Sequence, residues 1–233
     1  MELPPAKDYY PHIAYDSVIF GFSENMLKIL VMEYKQTGLF ALPGGFVKKG
    51  ENLDDAVKRG LLDRTGLENI YLEQFHTFGS AYRSDPAAMR RILEAHGYSP
   101  DDNYWMLARF FSVAYYALIN YSEVTLRAGP LSDSIDWYEV DNLPPLMQDH
   151  RDIVAMALRV LRDNLDRKLI GGNLLPELFT MKELQRVYES ILGMELRRTT
   201  FQRKMLSLNI LERHNKRYDG QAHKAPYLYS WIK

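Results

Sequence analysis

The sequence predicts an α+β protein in which a larger domain of strands and helices precedes a smaller winged helix-turn-helix domain. Three observations support this class. Strand and helix patterns alternate through residues 1–168, whereas residues 173–233 contain two helical patterns followed by a hairpin pattern. The segment IGGN at 170–173 interrupts both patterns, which makes it the best candidate for a linker. The balance of charge also changes close to that segment.

The composition excludes several classes of protein. Of the 233 residues, 46% are hydrophobic and 25% are charged, which is typical of globular proteins rather than of disordered ones. The sequence has no cysteine, so disulfides, thiolate metal sites and cysteine nucleophiles are excluded. It shows neither a signal peptide nor an apolar run of the roughly 18 to 20 residues that a membrane-spanning helix needs. We therefore expect a cytoplasmic protein.

The net charge of −1 conceals a difference between the two predicted domains. Up to residue 165 the chain carries 16 basic and 23 acidic side chains, a charge of −7. Beyond that residue it carries 13 basic and 7 acidic side chains, a charge of +6. This difference suggests a polyanionic partner for the second domain alone, although a chance excess of exposed Lys and Arg would look the same.

The first half of the larger domain is predicted to form three extended segments and a helix. Residues 14–22 and 26–34 are rich in β-branched and aromatic residues and flank a short polar turn, which predicts a hairpin. Residues 39–47 form a third extended run that contains a proline and two glycines. Asn52 is expected to cap a helix that ends at Gly66.

The second half of the larger domain continues the mixture of strands and helices. We expect strands at 69–80, 110–119 and 136–140, with a short helix from Ala87 to His96 between the first two. The segment 143–165 is predicted to be a loop and then an amphipathic helix, because its apolar residues form one stripe.

Residues 45–67, which read GFVKKGENLDDAVKRGLLDRTGL, resemble the Nudix box. That pattern is Gly, five residues, Glu, seven residues, and then Arg-Glu-apolar-x-Glu-Glu-x-Gly-apolar. The resemblance implies the Nudix fold, an α/β/α sandwich with a mixed sheet between helices, over about residues 12–165. The positions that match the pattern are Gly45, Glu51, Arg59, Leu61, Gly66 and Leu67.

This box lacks the side chains that would hold a metal ion. Positions 60, 63 and 64 share one face of a helix, and in an active enzyme of the family all three would be Glu, holding Mg²⁺ against a pyrophosphate. Here they are Gly60, Asp63 and Arg64. Arg64 places a positive charge where the cation would lie, and unit charges about 4 Å apart repel by roughly 4 kcal/mol at an effective dielectric near 20. We therefore expect no metal, no cofactor and no hydrolase activity.

Other interpretations of the box remain open. A relaxed active site could borrow carboxylates from elsewhere, such as Glu73 or Asp85. The chain would then be a Mg²⁺-dependent Nudix hydrolase of a nucleoside diphosphate derivative such as ADP-ribose. For Glu51 and Arg59 the simpler interpretation is a salt bridge that pins the loop to the helix.

The smaller domain contains the parts of a winged helix-turn-helix. Thr180 and Glu183 match a capping box at the start of its first helix. Residues 197–212 predict a second, basic helix, capped by Thr199 or Thr200. The last twenty residues suggest a β-hairpin, the wing. Such a module sets its second helix in the major groove of DNA and lets the wing touch the backbone.

The candidate DNA contacts cluster at the start of that basic helix and in the wing. Gln202 and Arg203 are expected to reach base edges. Lys204, Lys216 and Arg217 are expected to contact phosphates. A small protein-interaction domain with a solvated basic face is the competing explanation. The candidates are Arg197, Arg198, Thr199, Thr200, Gln202, Arg203 and Lys204 on the helix and Lys216 and Arg217 in the wing.

A Nudix-like domain followed by this tail resembles the Nudix-related transcriptional regulators of the NrtR type. The resemblance also covers residues 16–22, 112–119, 143–158 and 173–193. It implies a homodimer that binds operator DNA and senses a small molecule, with the helix at 149–165 or the Nudix-like domain as candidate dimer surfaces. Some members sense ADP-ribose, whereas relatives with a degenerate box sense sugars such as arabinose. The degraded box favours the sugar branch and a role in carbohydrate metabolism.

The same resemblance suggests where the effector binds and where this chain departs from the family. Family members commonly carry an Arg-Asp-Pro stretch directly before a Val-Ala-Tyr strand, whereas this chain inserts residues 87–108 there. The favoured role of the insert is surface elaboration or a dimer contact, and the alternative is a cover over the ligand pocket. The expected ligand contacts are Asp16, Lys35, Gly44, Gly45, Phe46, Arg83 and Asp85.

Overall fold

A computed structural model of the chain confirms an α+β protein with a mixed sheet followed by a helical domain and a small sheet. The structure describes residues 5–34, 36–68, 70–129, 132–166, 174–217 and 225–232. Its strands are β1 (Tyr9–Ser23), β2 (Met26–Tyr34), β3 (Leu39–Ala41), β4 (Gly44–Lys48), β5 (Tyr71–Phe78), β6 (Phe111–Leu118), β7 (Ser132–Glu139), β8 (Phe179–Thr180), β9 (Leu211–Lys216) and β10 (Tyr227–Trp231). Its α-helices are α1 (Leu53–Thr65), α2 (Pro86–Ala95), α3 (His150–Asn164), α4 (Met181–Leu192) and α5 (Arg198–Ser207).

A mixed sheet organises the first domain. Its path is β3-β2-β1-β6-β5, and β4 and β7 pair with β1 and β2 away from that path. β1 and β6 run parallel, whereas β2 and β4 both pair antiparallel with the other edge of β1. β2 follows residues 20–23 of β1 and β4 follows residues 14–16. β2 and β4 therefore diverge from successive parts of the same edge of β1. A cavity opens where they diverge, at one end of the sheet.

The central strands of this sheet are buried on both faces, which explains the nearly continuous apolar runs in β1, β2 and β6. Successive side chains of a strand point to opposite faces. In β1, Val18 and Phe20 belong to the core cluster that contains α3, whereas Tyr15 and Ile19 belong to the cluster that contains α1. The helices thus cover the sheet from two sides, as the sandwich prediction required.

Helix α1 has the predicted limits but a different N-terminal contact. It begins after Asn52 and ends at Gly66, whose φ of +71° is a left-handed conformation that glycine adopts without strain. The Asn52 side chain accepts no hydrogen bond from the helix backbone; its Nδ2 instead donates to Asp55 Oδ2 at 2.8 Å.

The smaller domain confirms one capping prediction and corrects the other. Thr180 and Glu183 form the reciprocal capping box at the start of α4. The predicted helix at 197–212 was wrong at both ends. It runs over Arg198–Ser207, and Arg197 rather than Thr199 or Thr200 is the N-cap residue.

The physical reasons for this correction are local. The carbonyl of Arg197 accepts the first helical hydrogen bond, from Phe201 N at 2.9 Å, so both threonines lie within the first turn. At the other end Asn209 takes a φ of +53°, which stops the helix before β9 begins at Leu211. The predicted wing is formed by β9 and β10, which pair antiparallel.

Helix α3 joins the two domains through a common apolar core. Ile153, Ala157 and Leu161 of α3 are fully buried, in the same cluster as Leu184 and Ile191 of α4. The apolar stripe of 149–165 was a candidate dimer surface, and that prediction was wrong because the stripe is buried inside the chain. The predicted linker at 170–173 and the boundary between residues 168 and 173 lie outside the described residues.

Two side-chain contacts tie the domains together beside this core. Arg162 Nε of α3 donates to the Ile191 carbonyl at 2.7 Å, near the C-terminus of α4. Arg186 of α4 donates to Asn25 Oδ1 at 2.6 Å, in the turn between β1 and β2. In the part of the chain that the structure describes, no helix is long and apolar enough to cross a membrane.

Candidate functional site

A cavity of about 320 Å³ opens where β2 and β4 diverge. Its size is within the range of small-molecule sites in proteins. Lys35, the remaining expected ligand contact, lies outside the described residues. The other expected contacts all line the cavity; they are Asp16, Gly44, Gly45, Phe46, Arg83 and Asp85.

On the α3 side of the cavity, Arg83 holds a buried polar network together. Its Nε and Nη2 donate to the two carboxylate oxygens of Asp149 at 2.9 and 3.1 Å, and Nη1 donates to the Phe110 carbonyl at 2.9 Å. Nη2 also lies 3.5 Å from Asp16 Oδ2, which accepts a 2.5 Å hydrogen bond from Ser112. Most donors of Arg83 are therefore committed within the protein.

His150 is a cavity residue that the sequence analysis missed. It is buried, and its Nδ1 accepts a hydrogen bond from Leu42 N at 2.9 Å. The ring is therefore neutral with its proton on Nε2, which faces Asp16 Oδ1 at 3.8 Å. The one available signal was a polar residue at the first position of an otherwise apolar helix stripe, and that pattern is too common to assign a site.

Asp85 has a structural use that its position in the sequence did not reveal. Its carboxylate accepts a hydrogen bond from Ala88 N at 3.0 Å and caps α2, with Pro86 at the first helical position. The Arg-Ser-Asp-Pro stretch thus serves the fold twice, through Arg83 and through this cap.

A phenol and a guanidinium fill the space in which the carboxylates of a Nudix box would hold a metal ion. A side chain at Gly60 would overlap the Tyr15 hydroxyl oxygen and would lie 3.1 Å from Arg64 Nη1. Arg64 donates through Nη2 to the Gly44 carbonyl at 2.6 Å and through Nη1 to the Gly60 carbonyl at 3.0 Å. Asp63 is exposed on α1. This donor set does not fit a divalent cation.

The carboxylates elsewhere in the described residues are not gathered into a metal site. Among the described residues, no group of three or more His, Asp or Glu side chains is placed to hold a metal ion. Glu73 accepts hydrogen bonds from Tyr71 at 2.5 Å and from Tyr116 at 2.9 Å. Tyr116 belongs to the α3 side of the sheet, so the suggestion that Glu73 lends a carboxylate to α1 was wrong.

Glu51 and Arg59 form the salt bridge that was the simpler interpretation of their place in the box. Arg59 donates through Nε and Nη2 to the two carboxylate oxygens of Glu51, at 3.1 and 2.7 Å. The guanidinium hydrogen bonds, helped by a backbone hydrogen bond from Lys48 N, lower the pKa of Glu51. The pair pins the end of β4 to α1.

The insert at 87–108 forms one wall of the cavity. Its Trp105 stacks on Tyr9 with ring centroids 5.1 Å apart, and it meets Phe46 edge-on at 4.8 Å. Phe110 extends this aromatic cluster at 5.1 Å from Phe46. The favoured role of the insert, surface elaboration or a dimer contact, was therefore wrong for these side chains, and the alternative of a pocket cover describes their position.

In the smaller domain, α5 presents an exposed basic face. Phe201 and Met205 are buried against α4, which turns the opposite side of the helix outward. Gln202 is half-buried beside that face. The exposed candidates on it are Arg197, Arg198, Thr199, Thr200, Arg203 and Lys204.

Two of the expected phosphate contacts are paired within the protein. Lys204 Nζ lies 2.6 Å from Asp166 Oδ2, just after α3. Arg217 donates to both carboxylate oxygens of Glu183, at 3.0 and 2.7 Å, and so ties the wing to the start of α4. Lys216 stays on the wing, with Nζ 5.2 Å from the centre of the Tyr227 ring.

Comparison with known proteins identifies two domains in the same order. The NUDIX domain model matches residues 11–157, and the model for the NrtR DNA-binding winged helix domain matches residues 171–231. A solved structure of Shewanella oneidensis NrtR in complex with a 27mer DNA has a TM-score of 0.72 and 26% identity, covering 94% of this chain and 93% of that one.

Two relatives represent the two functions that the sequence left open. The ADPR responsive transcriptional repressor NtrR of Acinetobacter baylyi is 31% identical over 209 residues, which are 87% of this chain and 75% of the relative. The ADP-ribose pyrophosphatase of Methanocaldococcus jannaschii is 28% identical over 153 residues, which are 64% of this chain and 75% of that relative. The similarity to the Acinetobacter repressor is long enough to include part of the winged helix domain. The similarity to the Methanocaldococcus pyrophosphatase has about the length of the Nudix domain alone.

The contact between Tyr15 and Gly60 predicts the result of a double-mutant cycle. Gly60→Ala should destabilise the protein by about 1 to 3 kcal/mol, because the added methyl group overlaps the Tyr15 hydroxyl. In a Tyr15→Phe background it should cost less, since the hydroxyl is gone and Ala is favoured over Gly in helices by about 1 kcal/mol. Urea denaturation of the four proteins measures the coupling. Equal effects of Gly60→Ala in both backgrounds would contradict the described packing.

Proposed function

Because the chain belongs to the NrtR-type family of Nudix-related transcriptional regulators, we propose that it represses transcription from operator DNA under the control of a small-molecule effector. The observation that carries this proposal is the exposed basic face of α5, in a domain that matches the family's DNA-binding winged helix. The cavity in the Nudix domain is the proposed effector site. A cytoplasmic location belongs to this proposal, because operator DNA lies there.

The basic face and the wing have different proposed roles in DNA binding. Gln202 and Arg203 lie on the first turns of α5 and reach base edges, where Arg favours guanine and Gln favours adenine. Arg197, Arg198, Thr199 and Thr200 surround the N-terminus of the helix, which suits a phosphate. Lys216 contacts the backbone from the wing. Lys204 and Arg217 mainly orient the module, because each already has a carboxylate partner.

ADP-ribose or a closely related molecule is the proposed effector. The Acinetobacter relative is an ADPR responsive repressor, and its similarity spans most of this chain. The aromatic cluster of Tyr9, Phe46, Trp105 and Phe110 offers flat apolar faces to a base or a sugar ring. Asp16, Gly44, Gly45, Arg83 and Asp85 supply or shape the polar side of the cavity. A sugar effector and a role in carbohydrate metabolism rest on the degraded box alone and stay predictions.

The proposed function includes the loss of pyrophosphate hydrolysis and of a metal cofactor. A water molecule activated by a metal ion is what such hydrolysis requires. Tyr15 and Arg64 fill the space in which carboxylates at positions 60 and 64 would hold that ion.

The full chain incubated with ADP-ribose and Mg²⁺ or Mn²⁺ should therefore release no AMP above background. An active ADP-ribose pyrophosphatase, assayed by the same chromatography, provides the positive control. Robust turnover by this chain that disappears in Glu51→Gln would reverse the assignment and make the chain a hydrolase.

For DNA binding, base contacts and phosphate contacts should separate in titrations against operator and scrambled duplexes. Arg203→Ala should weaken binding to the operator by about 1 to 3 kcal/mol, because Arg203 contacts bases. The same substitution should change binding to random DNA little. Lys216→Ala should weaken binding to operator and to random DNA equally. It should also lower the slope of log affinity against log salt concentration by about one ion. Arg151→Ala, an exposed arginine of the first domain, serves as the control. If Arg203→Ala leaves operator affinity intact, the proposed base contact is wrong.

A homodimer is proposed because two half-sites related by a twofold axis need two copies of the module. With the α3 stripe buried, the Nudix domain offers the remaining surface. Ile13 and Phe111 are neighbours on β1 and β6 and are 41% and 47% exposed. Light scattering should give about twice 27.2 kDa. Phe111→Glu should shift the protein toward the monomer, whereas Leu62→Glu, at an exposed position of α1, should not. A monomer that still binds operator tightly would refute the dimer.

A further inference from the structure

Arg64 brings a positive charge to the cavity that no carboxylate neutralises within the part of the chain that the structure describes. Its hydrogen bonds within the described residues go to neutral acceptors: Nη2 to the Gly44 carbonyl at 2.6 Å, Nη1 to the Gly60 carbonyl at 3.0 Å and Nε to Met32 Sδ at 3.4 Å. These contacts fix the guanidinium in position. They leave N–H groups of both terminal nitrogens for another acceptor, since a guanidinium has five.

The other charged side chains that line the cavity are engaged with partners on the α2 and α3 sides of it. Arg83 is paired with Asp149 and approaches Asp16, and the Asp85 carboxylate caps α2. His150 is neutral, because its Nδ1 accepts a hydrogen bond. Among the described lining residues, the charge of Arg64 therefore determines what the α1 side of the cavity attracts, and it attracts an anion.

Tyr15 adds a hydrogen-bond donor beside this charge. Burial raises the pKa of its hydroxyl, although Arg64 opposes the shift, so the phenol stays protonated at neutral pH and can donate its proton. Its position depends on two glycines. A side chain at Gly45 would meet the Tyr15 hydroxyl oxygen at 2.6 Å, and one at Gly60 would overlap it.

We propose that Arg64 replaces the divalent cation of a Nudix site and binds a phosphate group of the effector directly, so that the cavity takes a phosphate-bearing effector without a metal ion. The planar guanidinium fork matches two oxygens of one phosphate, and the Tyr15 hydroxyl donates to the same group. This inference rests on the proposed function, because it concerns the same cavity. It also favours phosphorylated effectors over neutral sugars, which would gain nothing from the charge.

The test uses the full chain, isothermal titration calorimetry and ADP-ribose as the probe. With EDTA present, ADP-ribose should bind as tightly as with Mg²⁺, within about twofold. Arg64→Gln should weaken that binding by about 10- to 100-fold, the range of a charge-assisted hydrogen bond. Arg64→Lys should restore part of the affinity, because it keeps the charge. Lys58→Gln, which removes an exposed positive charge from the same helix, is the matched control and should change nothing.

Uncharged and smaller probes separate the phosphate contact from the rest of the site. Adenosine should bind native protein and Arg64→Gln equally, because it has no phosphate, and this result also shows that the variant keeps its fold. If ribose 5-phosphate binds the native protein and not Arg64→Gln, the inference is supported, with a sugar phosphate rather than ADP-ribose supplying the phosphate group.

Three results would overturn the inference without touching the proposed regulator, whose operator binding is measured separately. The first is ADP-ribose binding that requires Mg²⁺. The second is binding of a neutral sugar such as arabinose that Arg64→Gln leaves unchanged while both phosphorylated probes fail to bind. The third is ADP-ribose binding of equal strength in native protein and Arg64→Gln. If the chain fails to bind operator DNA, by contrast, the proposed function itself fails.

Discussion

The burial of the α3 apolar stripe is the interaction on which the rest of the structure depends. The stripe packs against the sheet and α4 together, so one core stabilises both domains and fixes their relative position. His150 begins this helix at the cavity, whereas Arg162 and Leu161 near its other end contact or pack against α4. A single rigid element therefore touches the candidate effector site and the DNA-binding domain. Through α3 the cavity and α4 are therefore joined by one continuous packed core.

The degenerate Nudix box is a rebuilt site rather than an empty one. Gly60 makes room for the Tyr15 hydroxyl, and Arg64 uses the carbonyls of Gly44 and Gly60 to hold its charge beside that hydroxyl. These substitutions depend on one another, since a side chain at Gly60 could not coexist with Tyr15 in this position. Glu51, the one box carboxylate that remains in place, has a structural partner in Arg59. The residues that frame the box are retained, whereas the residues at its metal-binding positions differ.

Local patterns predicted much of this molecule because they depend on neighbouring residues. The hairpin of β1 and β2, the end of α1 at Gly66, and the capping box of Thr180 and Glu183 all follow from contacts a few residues apart. The prediction of the basic helix was wrong at both ends. The limits of that helix depend on backbone angles at Arg197 and Asn209, which residue composition does not reveal. The insert was misassigned because its aromatic partners lie far away along the chain.

The sequence by itself determined the order of the two domains, the Nudix frame, the absence of the metal-binding glutamates and the position of the basic helix. These properties belong to residue types and spacings within single segments. Only the tertiary structure decided that Tyr15 fills the vacated carboxylate space, that Arg83 is committed to Asp149, and that Trp105 forms a cavity wall. Each of those contacts joins segments that are distant along the chain. Their geometry is set by how the sheet forks and how the helices pack on it, which no local pattern encodes.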